Sequence, residues 1–309
     1  MMSAPDPDPG TARRVAVLRF SAVGDVVLTS GAIHALKTAW PEAELIYVTK
    51  EPLAPLVAHN PYVSHVLTLM PRESTLSLRR RLAALHPDAI LDLHGKARGA
   101  ILRTLVPRSE RVLWHKRALA QELGVRLFRR RYHAEMHIAA RYHQAVEELV
   151  GRPLARAPLR LDAAPAAVTA VNARLATMGL DPTRSLVGFA PGAMWHTKRW
   201  PLERFVQLVT RAKASGCEVI LTGSSSEAAD TSAIARAVSG TCDLAGFLSL
   251  AELAAVIGQC HAFVANDSGP MHMARALHVP TVAFFGSTDP AQFAFDGHVA
   301  RMGVVDHLL

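Results

Sequence analysis

Apolar residues alternate along this chain between two rhythms: short unbroken runs, and longer stretches in which they recur at helical spacing. An unbroken run suits a strand buried on both faces, and recurrence every three or four positions suits an amphipathic helix. Val15–Phe20, Glu44–Thr49, His65–Leu69, Asp88–Leu93 and Arg111–Trp114 read as strands. The helices between them begin with one from about Asp25 that puts Val26, Ile33, Leu36 and Trp40 on one stripe. Ser74–Leu85, Ala97–Val106 and a longer segment, His133–Val150, follow. "GRPLARAPLRLDAAP", from Gly151 to Pro165, breaks the rhythm and reads as a linker. The alternation then restarts with helix Ala166–Met178, strand Ser185–Ala190, helix Leu202–Ala214, strand Glu218–Thr222 and helix Glu227–Val238. Strand Cys242–Leu244, helix Ala251–Gly258, strand Ala262–Ala265, helix Met271–Leu277 and strand Thr281–Phe285 complete it.

Repeated strand–helix units of this length imply parallel sheets covered by helices on both faces. The pattern therefore predicts an α/β chain of two doubly wound, Rossmann-like domains, 13–150 and 165–309, joined by a linker at 151–164. Residues 1–12 form a Pro/Asp-rich leader, expected to be disordered and too polar for a signal peptide. Two such domains facing each other make a cleft at the carboxyl ends of their strands, where ligands bind.

Composition narrows the class. The chain has 309 residues, half of them hydrophobic, enough for two cores. No run approaches the ~18 apolar residues of a membrane span. Cys217, Cys242 and Cys260 are odd in number and lack CxxC spacing, so neither a disulfide framework nor a zinc site is expected. A cytoplasmic protein is the default, with peripheral placement at a membrane left open. The net charge of +8 is one-sided: residues 1–150 carry 21 Lys+Arg against 14 Asp+Glu, and 151–309 carry 13 against 12. Arg79 to Arg81, Lys96, Arg98, Arg103, Arg108, Arg111, Lys116, Arg117 and Arg129 to Arg131 hold most of the excess. Such a field favours an anionic partner for the first half, against the plainer reading of solvated helix faces.

Four loops after strands carry candidate chemistry. In "SAVGDVVLTSG", Asp25 either caps a helix or projects a carboxylate into the cleft, and a single Gly-Asp falls short of a dinucleotide fingerprint. In "APGAMWHTKRWP", Lys198 and Arg199 precede a helix that Pro201 starts, and two cations there oppose the helix dipole unless an anion sits between them. In "GSSSEAAD", Glu227 reads equally as an acid for a ribose or as the end of a Ser224-x-x-Glu227 capping box. In "NDSGPMHMARAL", Pro270 suits a first helical turn, Asp267 or Ser268 can cap it, and Gly269 allows a ligand close to the backbone. Its free amides make an anion site, or simply a capped turn. His272 reaches the same ligand or is a partly exposed polar residue. The chain lacks GxxxxGK[ST], G-x-S-x-G and HExxH, and its one D-x-D lies in the leader. Phosphoryl transfer on a P-loop, an elbow nucleophile and a zincin site are thereby disfavoured.

Together "LRFSAVGDVVLTSGAIHALK", "DLHGKARG", "PGAMWHTKRWP", "LTGSSSE" and "NDSGPMHMARALHVPTVAFFGSTDP" resemble the bacterial lipopolysaccharide heptosyltransferases, glycosyltransferase family 9, in register from about Val15 to Pro290. The resemblance implies a GT-B fold. It also implies inverting transfer of a heptose from an ADP-heptose donor to the lipopolysaccharide inner core, Kdo-lipid A or heptosyl-Kdo-lipid A, without metal or cofactor. It assigns Asp25 as general base and Lys198 to the diphosphate, with Glu227 on the ribose and Leu248 near the adenine. Asp267, Ser268, Gly269 and His272 become the donor-contacting turn. Lys96 and Arg98 fit a phosphorylated, anionic, lipid-linked saccharide acceptor at the inner membrane surface. Nucleic acid is a poor partner, because the basic runs lack interleaved aromatics. The family usually continues into a C-terminal helix that returns to the first domain, which this chain, stopping at Leu309, is expected to lack or replace. A non-catalytic nucleotide-sugar-binding homologue and a GT-B-fold epimerase are the alternatives.

Overall fold

Among the described residues of the computed structural model every strand pairing is parallel, as continuous apolar strands separated by helices require. The structure describes residues 13–113, 136–293 and 299–301. The leader, Trp114, Lys116, Arg117, Arg129 to Arg131, the start of the helix expected from His133, and the last residues of the chain lie outside these. The chain divides into two units, Met1–Arg160 and Leu161–Leu309.

In the first unit, β1 Arg14–Leu18, β2 Glu44–Lys50, β3 His65–Leu69, β4 Ala89–Asp92 and β5 Arg111–Leu113 form one sheet in the order β3-β2-β1-β4-β5. Helices α1 Val23–Leu28, α2 Ser30–Ala39, α3 Thr75–Ala83, α4 Ala97–Leu102 and α5 Ile138–Val150 accompany it. Val15, Ala16, Val17 and Leu18 are wholly buried in the central strand. Burying each Val or Leu side chain contributes about 1.5–3 kcal/mol. Ala16, Leu18, Ile46, Val48 and Ile90 pack against Leu78 and Leu82 of α3 and Leu102 of α4. Ser74 starts α3 by accepting from the Ser77 amide (3.1 Å), and Gly151, at φ 80°, ends α5 in the left-handed conformation that glycine tolerates.

The helix expected from Asp25 to Trp40 is interrupted. It begins at Val23 and breaks at Thr29, where the Thr29 and Ser30 hydroxyls donate back to the Val26 (2.6 Å) and Val27 (2.7 Å) carbonyls. Side chains that compete in this way for helix carbonyls bend or interrupt the ladder.

In the second unit, β6 Leu186–Ala190, β7 Glu218–Leu221, β8 Thr241–Asp243, β9 Ala262–Asn266, β10 Thr281–Phe285 and β11 Val299–Arg301 run in the order β11-β10-β9-β6-β7-β8. Its helices are α6 Pro165–Thr177, α7 Leu202–Ala214, α8 Ala228–Ala237, α9 Leu250–Gly258, α10 Gly269–Ala276 and the short α11 Pro290–Phe293. One apolar layer joins Phe205 and Val209 of α7 to Phe189, Val219 and Leu221, and the opposite layer joins Val171 and Val256 to Ile220. Residues 153–164 carry no regular structure, yet Leu161 is buried and its amide donates to the Ala276 carbonyl (3.0 Å).

Counted within each unit, both sheets read 3-2-1-4-5, the second with a sixth strand added beyond the fifth. The order reverses between β1 and β4 in the first unit and between β6 and β9 in the second. In open α/β sheets the crevice outside the strand ends at that reversal is where ligands bind. Among the described residues, no helix is long and apolar enough to cross a membrane.

Candidate functional site

The reversal in the first unit is built around a carboxylate. Arg19 and Phe20 follow β1 and are buried, and the turn after them delivers Asp25 to the third position of α1. There the carboxylate meets the first of its two sequence readings, a bond to the start of the helix, and adds an ion pair. Oδ2 accepts the Ala22 N–H at 3.1 Å, satisfying a helix-start amide, and it also pairs with Arg19 Nη2 at 2.5 Å. Oδ1 accepts the Tyr142 hydroxyl at 3.0 Å. The Asp25 side chain keeps 27% of its exposure while that of Arg19 keeps 8%. Arg19 Nη1 donates to the Leu93 carbonyl at 2.5 Å, and its guanidinium lies 5.4 Å over the Tyr142 ring. Burial, with the Asp25 charge, raises the Tyr142 phenol well above its usual pKa, so it remains a hydrogen-bond donor.

"DLHGKARG" follows β4 across the same reversal. The wholly buried Asp92 accepts the His94 and Gly95 amides, both at 3.0 Å, and pairs with Arg103. Gly99 lies where any Cβ would overlap that carboxylate. His94 is buried edge-on against Phe20, with centroids 5.3 Å apart. Burial first, then the Arg19 and Lys96 charges, push its imidazole down to about 4, so it is neutral at pH 7. Its Nδ1 is buried and has no hydrogen-bond partner among the described residues.

The basic excess of this half is partly internal. Arg98 donates to Thr75 Oγ1 (3.2 Å) and sits 5.6 Å over the Phe20 ring, Arg79 donates to Thr104 (3.1 Å), Arg81 pairs with Glu73 (2.9 Å), and Arg111 donates to the Arg103 carbonyl (2.9 Å). Lys96, at the start of α4, is exposed.

The second unit reverses the polarity. The loops after β6 and β9 are stitched together by the buried Asn266, whose Nδ2 donates to the Pro191 carbonyl (2.6 Å) and whose Oδ1 accepts the Trp200 amide (3.0 Å). Lys198 Nζ pairs with Asp267 Oδ2 at 2.7 Å, the lysine side chain 23% and the aspartate 3% exposed. Arg199 donates to the Ala193 carbonyl (2.8 Å) and pairs with Asp230 (3.3 Å). The anion that the two cations before α7 call for is therefore already present in the chain as Asp267 and Asp230.

Capping at "NDSGP" differs from expectation. Ser268 occupies the cap position of α10, but its hydroxyl donates to the Asn266 carbonyl (3.1 Å), and the Asp267 carboxylate is taken by Lys198. Among the described residues no cap side-chain hydrogen bond closes the start of α10, and Pro270 in its first turn brings no N–H. His272 is buried, 6.0 Å from the Phe293 ring, rather than partly exposed.

Glu227 completes the capping box by accepting the Ser224 amide (2.7 Å) and hydroxyl (2.8 Å). The same carboxylate fills the space over Gly192, where a Cβ would collide with it, so it also borders the Lys198 loop. Leu248 is half-buried against the layer that contains Leu244 and Val256.

Arg19, Tyr142, His94 and Asn266 are additions to the residues read from sequence. A lone cation ending the apolar run "VAVLRF" was a usable signal for Arg19. Tyr142 had none, since it reaches Asp25 from 117 residues away.

The family model described as glycosyltransferase family 9 (heptosyltransferase) matches residues 75–302. Lipopolysaccharide heptosyltransferase 1 of Pseudomonas aeruginosa is 28% identical, over 94% of this chain and 82% of its own length. Lipopolysaccharide heptosyltransferase 2 of Escherichia coli is 25% identical, over 94% of this chain and 87% of its own. A family 9 glycosyl transferase from Veillonella parvula superimposes with a TM-score of 0.82 at 23% identity, covering 94% of this chain and 85% of that one. An E. coli heptosyltransferase solved with ADP-2-deoxy-2-fluoro heptose gives 0.70 at 22%, covering 94% and 93%. These structures share the GT-B fold with this chain. With three quarters of its length matched by the family model, the chain belongs to glycosyltransferase family 9, the heptosyltransferases.

Proposed function

We propose that this protein is an inverting, metal-independent heptosyltransferase that moves a heptose from ADP-heptose to the lipopolysaccharide inner core, Kdo-lipid A or heptosyl-Kdo-lipid A. The observation that carries this reading is the Asp25 carboxylate, held by three donors yet still partly exposed at the switch point of the first sheet. Residues 13–150 bind the acceptor, residues 165–309 bind the nucleotide sugar, and 151–164 connect them.

In the reaction, a lone pair of the acceptor hydroxyl forms a bond to the anomeric carbon on the face opposite the diphosphate. The carbon–oxygen bond to ADP breaks and its electron pair leaves with ADP, while the hydroxyl proton passes to Asp25. A carboxylate placed within reach of the hydroxyl can take its proton as a general base. Lys198 and the first-turn amides of α10 stabilise the charge that grows on the diphosphate. Lys198 exchanges its Asp267 partner for, or shares it with, the donor phosphate. Glu227 holds the ribose, Leu248 borders the adenine, and Ser268, Gly269 and His272 line the donor. Lys96 and Arg98 face an anionic, lipid-linked acceptor, which a cytoplasmic protein meets at the inner membrane surface.

Thermal-shift screening of ADP- and UDP-sugars, followed by mass spectrometry of core oligosaccharide from a deletion strain, tests the proposal. Stabilisation by ADP-heptose and a core lacking one heptose are expected. A core of unchanged mass, with no ADP-sugar turned over, would leave a non-catalytic binder. Interconversion of the sugar without transfer would leave an epimerase.

A further inference from the structure

We infer that Tyr142 and Arg19 are positioning residues for transfer, and that their arrangement makes Oδ1 of Asp25 the atom that receives the acceptor proton. The inference rests on Asp25 being the base. A carboxylate offers about four lone-pair sites, two on each oxygen. Oδ2 is occupied by the Ala22 N–H at 3.1 Å and by Arg19 Nη2 at 2.5 Å. Among the described residues Oδ1 has one donor, the Tyr142 hydroxyl at 3.0 Å, so a second site remains there. The three donors approach from the turn, from the end of β1 and from α5, which fixes the carboxylate plane as well as its location.

The two positioning groups brace each other. The Arg19 guanidinium is anchored to the Leu93 carbonyl at 2.5 Å and lies 5.4 Å over the Tyr142 ring. Tyr142 is wholly buried in α5, and its raised pKa keeps the phenolic proton in place, so it orients Asp25 without competing for the substrate proton. When the acceptor oxygen bonds to the anomeric carbon and ADP departs with its electron pair, the proton enters the open site on Oδ1, and nothing is oxidised or reduced. A carboxylate that swings by ~1 Å loses much of the advantage of a fixed geometry, as misplacements of that size cost enzymes up to about 100-fold.

Tyr142→Phe tests this, because it removes one donor while keeping the ring beneath Arg19. With ADP-heptose and a Kdo-lipid A acceptor saturating, kcat is expected to fall about 10- to 100-fold, the usual worth of a hydrogen bond to a charged group. Both KM values should stay within about two-fold, since the hydroxyl touches neither substrate on this reading. The acidic limb of kcat/KM against pH should move upward, because the variant carboxylate lacks a donor that favours its charged form. In an Asp25→Asn background, Tyr142→Phe should cause no further loss, since the two act through one atom. Should Tyr142→Phe fold poorly, Arg19→Lys carries the same pH and double-variant readouts. Parent kcat with an unmoved acidic limb, or an equal further loss in the Asp25→Asn background, overturns the positioning role. Parent turnover in Asp25→Asn alone instead removes the base assignment, which separates the two failures.

Discussion

The two sheets share one strand order and one kind of switch point, yet they present opposite charges there. In the first unit the buried member of the ion pair is the cation, Arg19, and the exposed member is the carboxylate of Asp25. In the second the buried member is the carboxylate, Asp267, and the exposed one is the ammonium of Lys198. A half-buried charge next to a fully buried counter-charge is held in one place without being neutralised on its open side. On the proposed function, the same scaffold would supply a base in one unit and an anion site in the other by exchanging which partner is hidden.

The comparison breaks most directly at Asp25. Asp25→Asn should lower turnover by about 10²–10⁴-fold, the range for a lost general base, with donor affinity retained in calorimetry. It should also cost about 1–3 kcal/mol in urea unfolding, because the buried Arg19 loses the carboxylate it pairs with. Parent turnover would leave Asp25 a structural residue that bonds the start of α1 and pairs with Arg19.

Lys198→Ala is the corresponding change in the second unit. Donor Kd and kcat should each worsen by about 10-fold or more, since the charge acts on ground and transition states alike. Acceptor KM should hold. A variant that binds ADP as tightly as the parent would confine Lys198 to pairing with Asp267.

His94 sharpens the contrast through pH. Its folded-state pKa of about 4 lies below the reference 6.5, so between those values the unfolded chain binds the proton more readily than the native one. Its contribution to stability is full above pH 6.5 and is lost as pH falls toward 4. The urea midpoint of the parent should therefore fall more steeply across that window than that of His94→Gln, and equal slopes would refute the assignment. The smallest effect is expected at Glu227. Glu227→Gln should lower stability by about 1 kcal/mol or less, because an amide still accepts from Ser224. A larger loss in ADP affinity than in 2′,3′-dideoxy-ADP affinity would place a ribose on that carboxylate.

Residues such as Val15 to Leu18 and Phe263 to Ala265 made the strands legible, because unbroken apolar runs that short, bounded by turn residues, suit a strand buried on both faces better than a helix. The alternation with helices determined two parallel sheets, and the strand-end loops offered Asp25, the Lys198–Arg199 pair, Glu227 and the Asp267 turn as candidates, each with a plain capping or surface reading beside it. Local chemistry was less legible. The break at Thr29 depended on hydroxyls choosing helix carbonyls, the Ser268 hydroxyl at the α10 cap turned to the Asn266 carbonyl, and Lys198 took Asp267 from 69 residues away. Which charges pair, which member of each pair is buried, and that Tyr142 holds Asp25 were decided by tertiary structure. Burial and long-range hydrogen bonds depend on distances between segments, and a one-dimensional pattern of apolar and polar residues carries periodicity but not those distances.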